Sequence, residues 1–392
     1  MKVFYLDPGL SGGKGHNHAM VHEFDEALAV ERGLELHHVL HLGAQPQRLP
    51  RLRGRLHPVI RVDGYSRVDH AFADDPARLD AVLDALAADM SGAGIEAADA
   101  ILMPTAYPLH LYALARRVRL KPGCRVVVGL LLPCSFWAQD ARAEAALTRW
   151  LADGIAQLSA AGQLFAYSET GSYRFGDQLV PTATLLPPVA ATNAALIREL
   201  SQAPRTPGAE APVLGYFGSP FTTKGFALML DAIQQLATAG ITPATRLHIY
   251  LPPGREDHCA RINAAADWVH AESADTDNAT YLRQMAQVDA VWAFYDPAEY
   301  GTKMSGIIPE ALSLGKPVLL SEGCMALQDF LDHHAPASYL LAPYGQQALI
   351  DALQMPAAPW RQAARTAQAH APLMQQMKSM DRYLRVCGIA GD

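Results

Sequence analysis

The feature that most limits how this chain can fold is a grammar stated twice. Each half opens with a short, fully apolar strand, then a turn of small residues, then an amphipathic helix. Residues 3–6 run into the glycine-rich stretch 9–15 and a helix over 16–32, closed by Gly33; the next strand covers 34–42. Residues 213–217 run into 218–225 and a helix over 226–239, stopped by Gly240. The segments 100–104 and 125–132 read as further buried strands, and the second is a Val/Leu run after Arg125, as parallel strands covered on both faces are. Amphipathic patterns at 78–90, 109–118 and 141–161 supply the crossovers. The expectation is an α/β fold of two Rossmann-like doubly wound domains, with the carboxyl ends of both sheets facing a central cleft. A chain of 392 residues is too long for one ordinary core, which agrees. The boundaries read as 1–190, a Pro/Ala/Gly-rich linker at 191–212, a second domain at 213–371, and a helical tail at 372–392 packing back toward the first domain.

Several function classes fall away on charge and patterning. A net charge of −7 argues against a dedicated nucleic-acid binder. Five scattered cysteines with no CxxC pair fit a reducing, cytoplasmic setting. The chain opens on a strand rather than a signal peptide. The longest apolar run, 126–138, is broken by Gly129, Pro133 and Ser135 and is too short to span a bilayer. One stretch departs from the acidic whole: residues 45–67 hold six arginines, three prolines and one acid. It reads either as a solvated loop or as a contact for an anionic acceptor or the inner face of a membrane, through Arg48, Arg51, Arg53 and Arg55.

The glycine loops carry the chemistry. The first lacks the Gly and Ser/Thr positions of a P-loop and the third glycine of a dinucleotide fingerprint. Gly12 and Gly13 either let backbone approach a substrate or simply turn the chain. His18 and His22 stand one helical turn apart, but no third ligand and no HExxH is evident, so no metal site is expected. His16, at the loop–helix junction, is placed to face a cleft. The densest signal lies at 300–318. A small-residue loop enters a short apolar helix from about Ile307, ended by Gly315 and Pro317. Such a turn aims N–H groups at an anion, and Glu310 in the first turns offers a carboxylate to a diol such as ribose. A glutamate there is also favourable with the helix dipole alone.

Glu310–Val318 reads Glu-Ala-Leu-Ser-Leu-Gly-Lys-Pro-Val, and Gly218–Gly225 ends in Lys-Gly. On these motifs the whole chain resembles the GT-B-fold retaining glycosyltransferases of family 4 (glycosyl transferase group 1). The likeness is strongest over 213–330 and a matter of layout before that. The resemblance implies a UDP- or GDP-sugar as donor substrate, no resident cofactor or metal, and a glycan or lipid-linked acceptor in bacterial surface polysaccharide synthesis. It implies catalytic roles for Lys224 and Glu310, and His16, by its place at the loop–helix junction, is counted with them: Lys224 would hold the donor diphosphate and Glu310 the ribose hydroxyls. Gly12, Gly13, Gly218, Ser219, Thr302, Lys303, Ser305, Gly306, Ile307 and His270 would complete the donor site, His270 near the base and 305–307 capping the phosphates. The chain departs from the family pattern at two positions. Ser219 stands where the family has Arg, and Thr302 stands where the first Glu of its Glu-x7-Glu motif belongs. Glu299 lies three residues early, and Lys303 could replace the lost cation. Two rival readings share the fold: a GT-B epimerase, or a divergent protein that binds nucleotide or glycan without catalysis. A phosphorylase would need a late pyridoxal lysine, and Lys303, Lys316 and Lys378 lie in no matching context.

Overall fold

The computed structural model describes residues 1–10, 16–44, 49, 52–176, 178–202, 211–274 and 277–389, without the side chains of 16 and 17. The chain divides into two compact units, Met1–Ala191 with Lys378–Asp392, and Thr192–Met377.

In the first unit the strands are β1 (Lys2–Asp7), β2 (Glu35–His41), β3 (Arg55–Ile60), β4 (Ala100–Met103), β5 (Arg125–Gly129) and β6 (Leu164–Ser168). A hairpin, β7 (Ser172–Phe175) with β8 (Gln178–Pro181), precedes the short β9 (Ala183–Thr184). The main sheet runs β3-β2-β1-β4-β5-β6-β9, and every neighbouring pair in it is parallel. The second unit holds β10 (Val213–Phe217), β11 (Arg246–Leu251), β12 (Val269–Ser273), β13 (Ala290–Ala293), β14 (Val318–Ser321) and β15 (Tyr339–Ala342). Its order is β12-β11-β10-β13-β14-β15, again all parallel. Both sheets thus follow the 3-2-1-4-5-6 order of a doubly wound fold, with its switch point between the first and fourth strands.

The central strands are apolar because helices cover both faces. β4, β10, β13 and β14 are buried at every position. Helix starts follow side-chain caps: Asp140 accepts from the Arg142 and Ala143 amides, and Asp277 from Thr280, each satisfying amides the helix leaves free. The Ala143 amide, chiefly, holds the Asp140 carboxyl down at about 2.

Two expectations need correction. The arginine-rich stretch is not wholly loop, because Arg55–Ile60 forms β3. As the sheet's edge it tolerates Pro58, and the register with β2 slips between Leu40 and His41. The helical tail expected over 372–392 is two pieces. Helix Ala357–Met377 carries Pro372 inside it, and a separate helix Met380–Cys387 begins at the Ser379 cap. The second piece packs Met380, Tyr383, Leu384 and Cys387 into the core of the first unit, where the Tyr383 hydroxyl donates to that of Tyr167.

Candidate functional site

The second unit gathers polar chemistry at its switch point. β10 ends in Phe217, and the chain turns at Gly218 with φ +118°. That positive φ calls for glycine, and a Cβ there would stand 3.4 Å from the Lys224 ammonium nitrogen, which places the cation against the turn. The loop closes through a 3-10 turn over Thr222–Lys224 into Gly225, φ +71°. A Cβ on Gly225 would meet the Phe294 carbonyl at 2.2 Å, just past the end of β13. The backbone of Lys224 is therefore pressed against the strand across the switch point. The buried Trp292 indole donates to the Lys224 carbonyl at 2.9 Å and fixes it from below.

The side chain of Lys224 is half-buried. Burial pulls its pKa down, and the nearby negative charge of Glu310 only partly opposes this. An ammonium held so, with desolvation uppermost, is poised for an anion. Glu310 lies in the helix Ile307–Ser313, whose inner side is packed by Ile307, Ile308, Ala311 and Leu312. Its Oε2 accepts from the Tyr281 hydroxyl at 2.7 Å. The Tyr281 ring meets Phe217 edge-on (5.7 Å between centroids), and Phe217 stacks on Tyr250 (4.7 Å).

The remaining residues expected at the site take definite places. The Ser219 carbonyl accepts from the Tyr216 hydroxyl at 2.6 Å. Thr302 is exposed. Lys303 pairs with Glu299 at 2.8 Å, so these two charges answer each other first. Ser305 donates to the Tyr295 hydroxyl at 3.4 Å. Gly306 and Ile307 open the Glu310 helix, which at seven residues is too short to offer much dipole, since its two ends partly cancel. The site's positive charge therefore comes from Lys224. His270 does not join the Lys224–Glu310 group. It is exposed, in register with His248 on the face of the sheet, its ring 5.4 Å from that of His248, and 3.8 Å from Glu272.

In the first unit, Gly12, Gly13, Arg48 and Arg51 lie outside the described residues, as does the side chain of His16, which opens the helix His16–Asp25. Arg53 and Arg55 are exposed; Arg61 pairs with Asp89 and Arg67 donates to the Ala138 carbonyl. Among the described residues no three His, Cys, Asp or Glu side chains group to hold a metal, and no helix is long and apolar enough to cross a membrane. Sequence reading missed Tyr281 and Trp292 as site residues. Both act through single hydrogen bonds to partners 29 and 68 positions away, which no local pattern encodes.

No protein-family model matches the chain, and no curated protein matches it by sequence. Solved structures do match over its whole length. An alpha,alpha-trehalose-phosphate synthase (UDP-forming) from Burkholderia xenovorans, in complex with glucose-6-phosphate, superposes with TM-score 0.56 at 14% identity, over 99% of this chain and 100% of that one. The spinosyn rhamnosyltransferase SpnG gives 0.53 at 15%, over 98% and 100%. A candidate UDP-N-acetylglucosamine 2-epimerase from Listeria monocytogenes gives 0.52 at 13%, over 96% and 94%. At such identities the likeness establishes the fold, which is GT-B.

Proposed function

We propose that this chain is a glycosyltransferase that takes a sugar from a nucleoside-diphosphate sugar, with no resident cofactor, and passes it to a carbohydrate or lipid-linked acceptor. The observation that carries this reading is the half-buried Lys224 ammonium at the switch point, beside a carboxylate and with its burial incompletely offset. Release of a nucleoside diphosphate develops negative charge on the leaving phosphate, and a fixed cation in a sheltered site stabilises that charge most where it develops. Lys224 meets the diphosphate, and Glu310 accepts from the ribose hydroxyls. The loop 305–307 lies on the phosphate side. The similarity to transferases, one of them UDP-forming, supports the class. In the retaining course implied by the family resemblance, the acceptor hydroxyl attacks on the face that the diphosphate leaves, and that phosphate takes the proton. No nucleophilic side chain is then required.

The similarity to a candidate epimerase favours a second reading, in which the same donor site releases the nucleotide and the sugar returns altered at one carbon. Incubation with UDP- and GDP-sugars separates them. A transferase consumes donor and releases UDP or GDP, slowly to water and faster with an acceptor, and Lys224→Ala abolishes the release. An epimerase gives a new nucleotide sugar with no acceptor present. A folded protein that does neither and binds no nucleotide contradicts both.

A further inference from the structure

The hydrogen bond from Tyr281 to Glu310 has a feature that the donor-site reading leaves unused. Tyr281 sits in the first turn of the helix Asn278–Gln287, which is capped by Asp277 and anchored by the buried Leu282 and Met285. Its ring is held edge-on by Phe217 at the end of β10, and Phe217 is itself stacked on Tyr250 of β11. Three separate elements therefore fix where the phenol oxygen stands. That oxygen donates to Glu310 Oε2 at 2.7 Å. Burial, with the adjacent carboxylate, holds the Tyr281 hydroxyl well above the usual phenol range, so it stays a donor throughout neutral pH.

A glutamate side chain has three rotatable bonds, and a mobile carboxylate loses much of its hydrogen-bond energy in being ordered. One oriented beforehand can take two neighbouring hydroxyls in a single geometry. Resting on the donor-site reading, we infer that Tyr281 is the positioning residue that lets Glu310 tell a ribose diol from a 2′-deoxyribose. The Tyr281–Phe217–Tyr250 arrangement sets the angle of the carboxylate, and its effect falls on the sugar end of the nucleotide. The phosphate end is held by the charge of Lys224 itself.

The test measures dissociation constants for UDP, dUDP, GDP, dGDP and inorganic pyrophosphate with the wild type, Tyr281→Phe, Glu310→Gln and the double variant. For whichever base binds, the wild type should prefer the ribonucleotide by roughly tenfold, the worth of one hydrogen bond to a charged group. Tyr281→Phe should bring that ratio to about threefold or less, with pyrophosphate affinity unchanged. In the Glu310→Gln background, Tyr281→Phe should change the ratio no further. A ribonucleotide preference that survives in Tyr281→Phe overturns the inference and leaves the donor site standing. So does an equal loss of nucleotide and pyrophosphate affinity, which would mark a general structural role. If neither UDP nor GDP binds the wild type, the donor-site reading falls and this inference falls with it. Should Tyr281→Phe fail to fold, the Glu310→Gln ratio decides, since a Glu310 that does not set the ribonucleotide preference leaves Tyr281 nothing to position.

Discussion

At the switch point of each sheet, at or beyond the end of its first strand, stands an ionisable side chain, and the two are treated in opposite ways. In the first unit Asp7 is 3% exposed and is answered by the protein itself. Its oxygens accept from the Tyr107 hydroxyl at 2.9 Å, the Gly9 amide at 3.1 Å and the Tyr5 hydroxyl at 3.4 Å. A buried carboxylate so surrounded is a structural tie, holding the end of β1 to the turn after it and to the chain beyond β4. In the second unit Lys224 is half-buried with its burial incompletely offset. The same topology thus yields one carboxylate held by protein donors and one half-buried ammonium whose burial the nearby Glu310 only partly offsets. An incompletely offset charge at a doubly wound switch point marks a ligand site better than the topology alone.

The largest effect that would sharpen the contrast is at Gly225. Alanine there needs an unfavourable φ of +71° and brings Cβ to 2.2 Å from the Phe294 carbonyl. Gly225→Ala should destabilise the second unit by about 4 kcal/mol and remove nucleotide binding with it. Urea unfolding monitored by tryptophan fluorescence checks this, and an unchanged transition would contradict the way Lys224 is held. Asp7→Ala comes next. It strands buried donors and should cost about 3 kcal/mol, visible as an earlier urea transition for the first unit. Nucleotide affinity at the second unit should not change, and a large loss would show Asp7 to be more than a tie.

The smallest effect is on pH. The pKa of Lys224 lies below the ordinary lysine value in the unliganded protein, and a bound diphosphate must raise it. Diphosphate affinity should therefore be full below that lowered pKa and fall as pH rises through it, with protons taken up on binding. Titration calorimetry in two buffers of different ionisation enthalpy reads the uptake directly. Affinity independent of pH across the alkaline range would remove Lys224 from the phosphates.

Sequence reading reached the alternation of strands and helices because buried parallel strands are locally apolar. Lys224, Glu310 and the glycines around them were legible for the same local reason: a small-residue turn entering a helix declares itself in consecutive residues. β3 was not legible, because an edge strand needs neither continuous hydrophobicity nor freedom from proline, and Arg55–Ile60 has neither. The break between Met377 and Met380 was hidden because the apolar spacing continues across it, while the two helices serve different units. Tyr281 and Trp292 stayed invisible because their meaning lies in one long-range hydrogen bond each.

On the proposed function, Lys224 is kept at a cost to stability because it binds a diphosphate. Its lowered pKa means that the unfolded chain holds the proton more tightly than the folded one. Charged Lys224 therefore weighs against folding at neutral pH, and stability rises only as pH climbs through the window between the folded and unfolded values. The direct test is the thermal unfolding of wild type and Lys224→Met at pH 7, each alone and with saturating UDP or GDP. Without nucleotide the variant should melt at the same temperature as the wild type or higher. With nucleotide only the wild type should gain, by about 2.7 kcal/mol at a hundredfold excess over Kd. A Lys224→Met protein that melts lower when unliganded, yet is stabilised by nucleotide as fully as the wild type, would contradict the account.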